Sequence, residues 1–565
     1  MTSEPYRPGG DPAVDPWWYI PEHARVRYDV KCRNIPNALR LTAQRHPDLE
    51  ALVAEDGRRS FAEFDQDMIA AVRAVQALGV RPGDRVGIWA PNSGRWVVAA
   101  LGILGAGAVL VPVNTRFKGE EAAYILRKSG ARALFLVSDF LDADYTGMLR
   151  AADPSLPVLE AGNSVVLSGT VLAEQVGWAA FLSGGTAVPE SAALAAVAAV
   201  TPESLSDIMF TSGTTGHPKG VKLTHGQSLR AHGGYSRLLG FEAGDRYLIV
   251  PPFFHTFGYK AGWMACLVHG VTIIPEQVFD TDHVMSVIES ERVTILYGPP
   301  TIFQSILDSP RRAEHDLSSI RNVLISSTVV SQELLERTKR ELRPELLHGG
   351  YGLTEATSCV TATVPGADTI ELIASTVGRP DFDVEVRVVD DAGRDVAQGQ
   401  AGELLVRGFN VMSGYWEDPE RTAEVIDADG WLHTGDVVTM DEQRYIRITD
   451  RKKDMILVGG FNVYPAEVER MLGHHPDVEA IAVVAAPDPR LGEVAVAFVV
   501  ARPGSGLTEA DLLGWAAARI ANFKCPRRVF LVDALPRNAS LKVVKNELRA
   551  LLPALGFRDR PAQSR

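Results

Sequence analysis

Ten residues at 211–220, TSGTTGHPKG, concentrate chemistry: three glycines, four hydroxyl side chains and one lysine, directly after the apolar approach DIMF. Glycines such as Gly213 and Gly216 let a backbone approach an anion, and successive N–H groups form a nest. The hydroxyls of Thr211, Ser212, Thr214 and Thr215 add donors, and Lys219 adds charge. That combination suits phosphate. The loop is not the G-x-x-x-x-G-K-[ST] pattern of ATPases and kinases, because Lys219 is followed by Gly220 and no hydroxyl comes next to hold magnesium. Transfer of a γ-phosphate is therefore not its natural chemistry.

Five more stretches follow in order: YGLTE (351–355), GWLHTGD (430–436), DRKKD (450–454), GGFNVYPAEVE (459–469) and PRNASLKVVK (536–545). With the glycine-rich loop, and over roughly residues 35–545, they resemble the adenylate-forming superfamily: acyl-CoA synthetases, the adenylation domains of peptide synthetases, and firefly-type luciferases.

The resemblance implies a role for each stretch. Tyr351 would offer an aromatic face to adenine, Thr354 a hydroxyl near phosphate, and Glu355 a carboxylate for Mg²⁺, which takes hard oxygen ligands and binds through one or two carboxylates plus phosphate. Asp436 would accept from the ribose hydroxyls, with Arg451 beside it. Lys453 falls at the hinge about which the family's small domain rotates, a motion that a few loop dihedrals absorb. Gly459, Gly460 and Phe461 would form part of a coenzyme A tunnel. Lys542 matches the catalytic lysine, a cation aimed at charge that builds on the α-phosphoryl group as a carboxylate attacks and pyrophosphate leaves. Two positions depart from the family pattern. Leu541 stands where glycine usually precedes the lysine, and LISSTVVS (324–331) replaces a loop of glycine and alanine beside adenine.

PPFFHTFGYKAG (251–262) occupies the family's acid-binding place, with Phe254, His255 and Tyr259 as its expected pocket residues. It holds no aspartate to pair with a substrate ammonium, and burying an ammonium unpaired is costly, so an amino acid is disfavoured. The resemblance is greatest to bacterial ligases for medium-chain, fatty or ring-bearing acids, and implies an ATP-dependent acid–CoA ligase. An acyl-AMP ligase loading a carrier-protein thiol shares the ATP motifs. A non-catalytic nucleotide- or acyl-binding homologue, disabled at Leu541 and LISSTVVS, is the alternative of another class.

These residues need a scaffold. From about 37 to 325, helical stretches alternate with short β-branched runs, as in SFAEFDQDMIAAVRAVQALG then RVGIWA, or HVMSVIESERV, TILYGPP and TIFQSILDS. Such alternation predicts βαβ units and buried parallel sheets. VEVRVV, GELLVRG and YIRITD read as strands of a β-rich part, and the tail beyond Lys453 as a compact α+β unit. The expected fold is α/β: a large N-terminal domain of βαβ-built sheets plus a β-rich subdomain, then a small α+β C-terminal domain. Its divisions are an extension over 1–34, a large domain over 35–449, a hinge over 450–454, and a small domain over 455–565. The alanine-rich stretch at 189–202 reads as a surface excursion.

Bulk properties narrow the partners. The chain has 565 residues and a net charge of -13, which argues for several domains and against a nucleic-acid partner. Its four cysteines are far apart without metal spacing, and residues 1–20 have no apolar core, so a cytoplasmic location is expected. The eighteen uncharged residues at 96–113 are punctuated by Gly102, Gly105, Gly107 and Pro112, and predict a buried helix and a core strand rather than a membrane span. The expected partners are a small carboxylic acid, ATP with Mg²⁺, and coenzyme A; a homodimer is compatible with the sequence.

Overall fold

A computed structural model describes residues 34–211, 218–326, 330–380, 383–451, 454–458, 461–488, 491–517, 520, 522–538 and 542–557. Contacts divide the chain into two compact units, the first up to Glu385 plus Arg407–Gly430, the second Val386–Val406 plus Trp431–Arg565. The chain thus changes unit at 385/386, 406/407 and 430/431, and the expected hinge segment lies inside the second unit. This division concerns packing. Lys453 lies outside the described residues, so rotation there stays a proposal.

The first unit rests on two seven-stranded sheets. One runs Leu346–His348, Asn322–Ile325, Ile295–Gly298, Arg246–Ile249, Thr272–Pro275, Glu50–Ala54, Gly57–Ser60. The other runs Val176–Gly177, Ser164–Ser168, Ala131–Val137, Arg85–Trp89, Val109–Pro112, Leu205–Thr211, Lys219–Thr224. Pairing is parallel in both until the last pair, which is antiparallel. Parallel neighbours need a crossover, usually a helix, and sheets covered on both faces read as continuous apolar runs. The strands VLVP and ILYG are buried at every position, as that rule demands.

The expected alternation is present. The helix Phe61–Ala77 starts from a capping box: Ser60 Oγ accepts from the Glu63 N–H, and the Glu63 carboxylate accepts from the Ser60 N–H. The stretch at 96–113 forms the helix Gly94–Gly105 and the buried strand Val109–Pro112. Gly102 sits where a Cβ would lie 2.7 Å from Ala71 Cβ, so its missing side chain lets this helix close on Phe61–Ala77. Among the described residues no helix is long and apolar enough to cross a membrane. The Cys266 and Cys359 thiols are buried.

The alanine-rich stretch read as a surface excursion is a mostly exposed helix, Glu190–Ala199, with Ala193 and Val197 buried. Alanine has the highest intrinsic helix propensity, so little apolar patterning is needed. Asn34 Nδ2 donates to the Val197 and Val200 carbonyls, meeting acceptors that the helix end leaves open.

The second unit holds most of a four-stranded sheet in the order Val384–Val389, Gly402–Gly408, Leu432–Met440, Ile446–Arg451, of which residues 384–385 and 407–408 are counted with the first. Its other sheet runs Phe461–Val463, Ile456–Val458, Gly492–Ala501, Val478–Asp488, with Arg528–Leu531 parallel to Gly492–Ala501. Val468, Leu472, Val483, Phe498 and Leu512 form its separate core. This is the α+β tail expected from the sequence.

Candidate active site

The glycine-rich segment leaves the edge of a sheet. Thr211 pairs directly with Lys219 across the antiparallel strands Leu205–Thr211 and Lys219–Thr224. The segment therefore connects two strands, whereas the ATPase pattern joins a strand to a helix. Ser212, Gly213, Thr214, Thr215 and Gly216 lie outside the described residues. Lys219 Nζ stands 4.9 Å from the centroid of the Tyr415 ring, a cation–π distance.

Tyr415 carries that cation to the second motif. Its hydroxyl donates to Glu355 Oε1 at 3.0 Å, and burial, with the Glu355 carboxylate, pushes the phenol well above its ordinary pKa. Tyr351 lies in the short strand Gly350–Tyr351, and Thr354 opens the single turn Thr354–Ala356 that bears Glu355; all three side chains are half-buried. Ser326, from the altered LISSTVVS loop, donates to the Gly350 carbonyl at 3.0 Å, next to Tyr351. Ser327 and Thr328 lie outside the described residues.

The turn after Glu355 is pinned from several sides. Thr357 and Ser358 adopt φ of +55° and +56°, a conformation L-residues rarely take without support. Support comes from Thr357 Oγ1, which donates to the Asn410 carbonyl at 2.6 Å, and from Asn410 Nδ2, which donates to the Cys359 carbonyl at 2.7 Å. His232 Nε2 lies 2.7 Å from the Thr357 carbonyl. Burial pushes His232 down to about 4, so the ring is neutral near pH 7, and this contact requires the tautomer with hydrogen on Nε2. Gly352 closes the turn: a Cβ there would lie 2.2 Å from the Ser358 carbonyl carbon. Gly352→Ala is expected to slow adenylation about 100-fold, since displacing a positioned group by about 1 Å has that cost. Acid-dependent pyrophosphate exchange measures it, and a wild-type rate in a folded variant would refute it.

The acid stretch abuts this turn. Asn92 holds it by donating to the Ile249 and Pro251 carbonyls and accepting from the Phe253 N–H at 2.7 Å. His255 is half-buried, and its Nδ1 accepts from the Phe257 N–H at 3.2 Å. Thr256 and Ser358 share a hydroxyl–hydroxyl hydrogen bond, which joins this stretch to the turn behind Glu355. Phe254 is half-buried, whereas Tyr259 is fully enclosed. Tyr259 stacks on Trp263 at 4.7 Å, and its hydroxyl reaches Asp207 at 3.4 Å. Beside it, Lys260 and Asp207 form a sealed ion pair at 2.7 Å, both side chains having no exposure.

In the second unit, Asp436 and Arg451 are cross-strand partners on Leu432–Met440 and Ile446–Arg451. Asp436 is buried in that sheet. Gly459 and Gly460 lie outside the described residues; Phe461 follows them and pairs with Val458. Lys542 is anchored by its backbone. Its N–H donates to Asn538 Oδ1 at 2.9 Å and its carbonyl accepts from the Asn538 N–H at 2.8 Å, while Arg537 bridges Val543. Leu541 lies outside the described residues.

Among the described residues no cluster of three or more His, Cys, Asp or Glu could hold a metal ion. A single half-exposed carboxylate, Glu355, fits Mg²⁺ that arrives largely coordinated by phosphate, which is how this ion usually binds. Sequence reasoning passed over Tyr415, Asn410 and Asn92. Only the SGYW spacing of glycine and two aromatics hinted at the first.

The family description AMP-binding enzyme matches residues 39–416, and AMP-binding enzyme C-terminal domain matches 467–542. The chain belongs to the AMP-binding enzyme family, within the adenylate-forming superfamily, and is an enzyme of the AMP-forming acid–thiol ligase class. It is 48% identical over 520 residues, 92% of this chain and 99% of the relative, to a 3-[(3aS,4S,7aS)-7a-methyl-1,5-dioxo-octahydro-1H-inden-4-yl]propanoyl:CoA ligase of Mycobacterium tuberculosis. The human mitochondrial medium-chain acyl-CoA ligase ACSF2 is 33% identical, over 92% of this chain and 88% of the relative. Among solved structures, the anthranilate CoA ligase AuaEII with anthranoyl-AMP superposes with a TM-score of 0.82 at 26% identity, over 93% of this chain and 99% of that one.

Proposed function

We propose that this chain activates a hydrophobic, ring-bearing propanoate-type acid with ATP and passes the acyl group to coenzyme A. A carboxylate oxygen attacks the α-phosphorus, forming acyl-AMP as pyrophosphate leaves; the coenzyme A thiol then attacks the acyl carbon and AMP leaves. The observation that carries the reading is the Thr256–Ser358 hydrogen bond, which couples the acid stretch to the turn that follows Glu355. Attack on the α-phosphorus needs the acid and the nucleotide held as neighbours. The named substrate of the Mycobacterium tuberculosis relative, a bicyclic propanoyl group, supports the ring-bearing class.

In this reading, residues 211–219 hold the departing β- and γ-phosphates. Glu355 would hold Mg²⁺, which supplies charge neutralisation on the phosphates when bound. Asp436 and Arg451 take the ribose, Tyr351 the adenine, and Lys542 the developing α-phosphoryl charge. Lys453 is the hinge, and Gly459, Gly460 and Phe461 serve coenzyme A. Phe254 and His255 border the acid; Tyr259, being enclosed, would act from behind them. A cytoplasmic location and a homodimer belong to the same proposal.

The test is a panel of acids incubated with enzyme, ATP, Mg²⁺ and coenzyme A, with AMP and thioester read by mass spectrometry. Bicyclic propanoates are expected to give acyl-CoA with kcat/KM about tenfold or more above straight-chain acids, the order that shape complementarity in an apolar pocket supplies. A preference for straight-chain acids would overturn the ring-bearing assignment. Acyl transfer only to a carrier-protein thiol would overturn coenzyme A as acceptor. ATP binding without pyrophosphate exchange for any acid would favour the non-catalytic homologue.

A further inference from the structure

Tyr415 sits outside every motif that the sequence singles out, yet it touches both ends of the phosphate chemistry. Its segment is zipped along the strand that closes the glycine-rich loop. The Lys222 N–H donates to the Gly414 carbonyl at 3.1 Å, the Trp416 N–H to the Gly220 carbonyl at 2.6 Å, and Val221 bridges Tyr415. From there the ring is 5% exposed, with Lys219 over its face at 4.9 Å and Glu355 at its hydroxyl at 3.0 Å. The Met412 N–H also donates to the Glu355 carbonyl at 2.8 Å, so the same segment holds the backbone of the acidic residue.

The two ends of a phenol suit these two charges. The π face attracts a cation, and the hydroxyl donates to a carboxylate. Lys219 and Glu355 carry opposite charges close to one ring, where a direct ion pair would leave each less available to phosphate or to a cation. The ring intervenes. We infer that Tyr415 is a positioning residue that holds the phosphate lysine and the metal carboxylate apart and aligned. The inference rests on the proposed roles of Lys219 and Glu355.

Tyr415→Phe removes the hydroxyl and keeps the ring, whereas Tyr415→Leu removes both. The readout is calorimetric affinity for ATP with Mg²⁺ and with a chelator, beside Mg²⁺ titration of pyrophosphate exchange. Tyr415→Phe is expected to lower the Mg²⁺-dependent gain in ATP affinity about tenfold, the worth of one hydrogen bond to a charged group, with Mg²⁺-free affinity nearly unchanged. Tyr415→Leu is expected also to weaken Mg²⁺-free binding about three-fold, from the lost cation–π contact. Glu355→Gln serves as the control. If it leaves the Mg²⁺-dependent gain intact, the metal reading of Glu355 fails and takes the inference with it. If it abolishes the gain while Tyr415→Phe does not alter it, only the role of Tyr415 is overturned. A lowered unfolding temperature in both Tyr415 variants, with both affinities at wild type, would likewise reduce Tyr415 to a packing residue.

Discussion

Lys542→Ala is expected to slow acyl-adenylate formation about 100- to 1,000-fold, the usual cost of removing one preorganised group aimed at developing charge. The loss should fall on kcat, with KM for ATP little changed, because a contact made only in the transition state does not contribute to ground-state binding. On the proposed role, the backbone that carries Lys542 is held in place. Asn538 both donates to and accepts from Lys542, and the Arg537–Val543 bridge closes the segment. Thioester formation from supplied acyl-AMP should keep its rate, because no pyrophosphate departs in that step. Acid-dependent pyrophosphate exchange and single-turnover thioester formation separate the two. An unchanged exchange rate would remove Lys542 from the first step, leaving Leu541 as a departure with consequences.

Lys260→Met is expected to destabilise the first unit by about 3–5 kcal/mol, the cost of leaving a buried charge without its partner. Lys260 and Asp207 are both fully enclosed. Burial draws the Lys260 ammonium below its ordinary pKa, and the Asp207 carboxylate opposes that fall. Lys260 Nζ also donates to Ser228 at 2.5 Å, and Ser206 Oγ donates to Asp207 at 2.7 Å. Without Lys260 the Asp207 carboxylate keeps only the neutral hydroxyls of Ser206 and Tyr259 among the partners shown, and no cation. A buried pair replaced whole is often neutral or better, so Lys260→Met with Asp207→Leu should recover most of the stability. Denaturant unfolding of wild type, the single variant and the double variant gives the comparison. A single variant as stable as wild type would refute it. Activity should fall further than stability alone explains, because Asp207 lies on the strand that ends at Thr211, and Lys260 lies within the acid stretch 251–262.

Much of this was legible in one dimension. Apolar runs of strand length between amphipathic helices gave the parallel sheets, because periodicity and β-branched content are local properties that burial only reinforces. Where patterning was weak the secondary structure was not legible: the surface stretch holds the helix Glu190–Ala199, tied by Asn34 to the Val197 carbonyl, 163 residues away. The order of the charged motifs pointed to adenylate formation through the family resemblance that they carry. Tyr259 shows the limit, for an aromatic in an acid-binding stretch and one enclosed against Trp263 have the same letter.

The sequence by itself pointed to the family and its adenylating chemistry, because an ordered set of motifs carries the resemblance; the roles proposed for Lys219, Glu355, Asp436 and Lys542 rest on that same resemblance. Only the tertiary structure decided that Asp436 and Arg451 are register partners on adjacent strands and that Lys260 is sealed against Asp207. It also decided that Tyr415 stands between Lys219 and Glu355. These pairings join residues far apart in the chain, and strand register and close packing fix them.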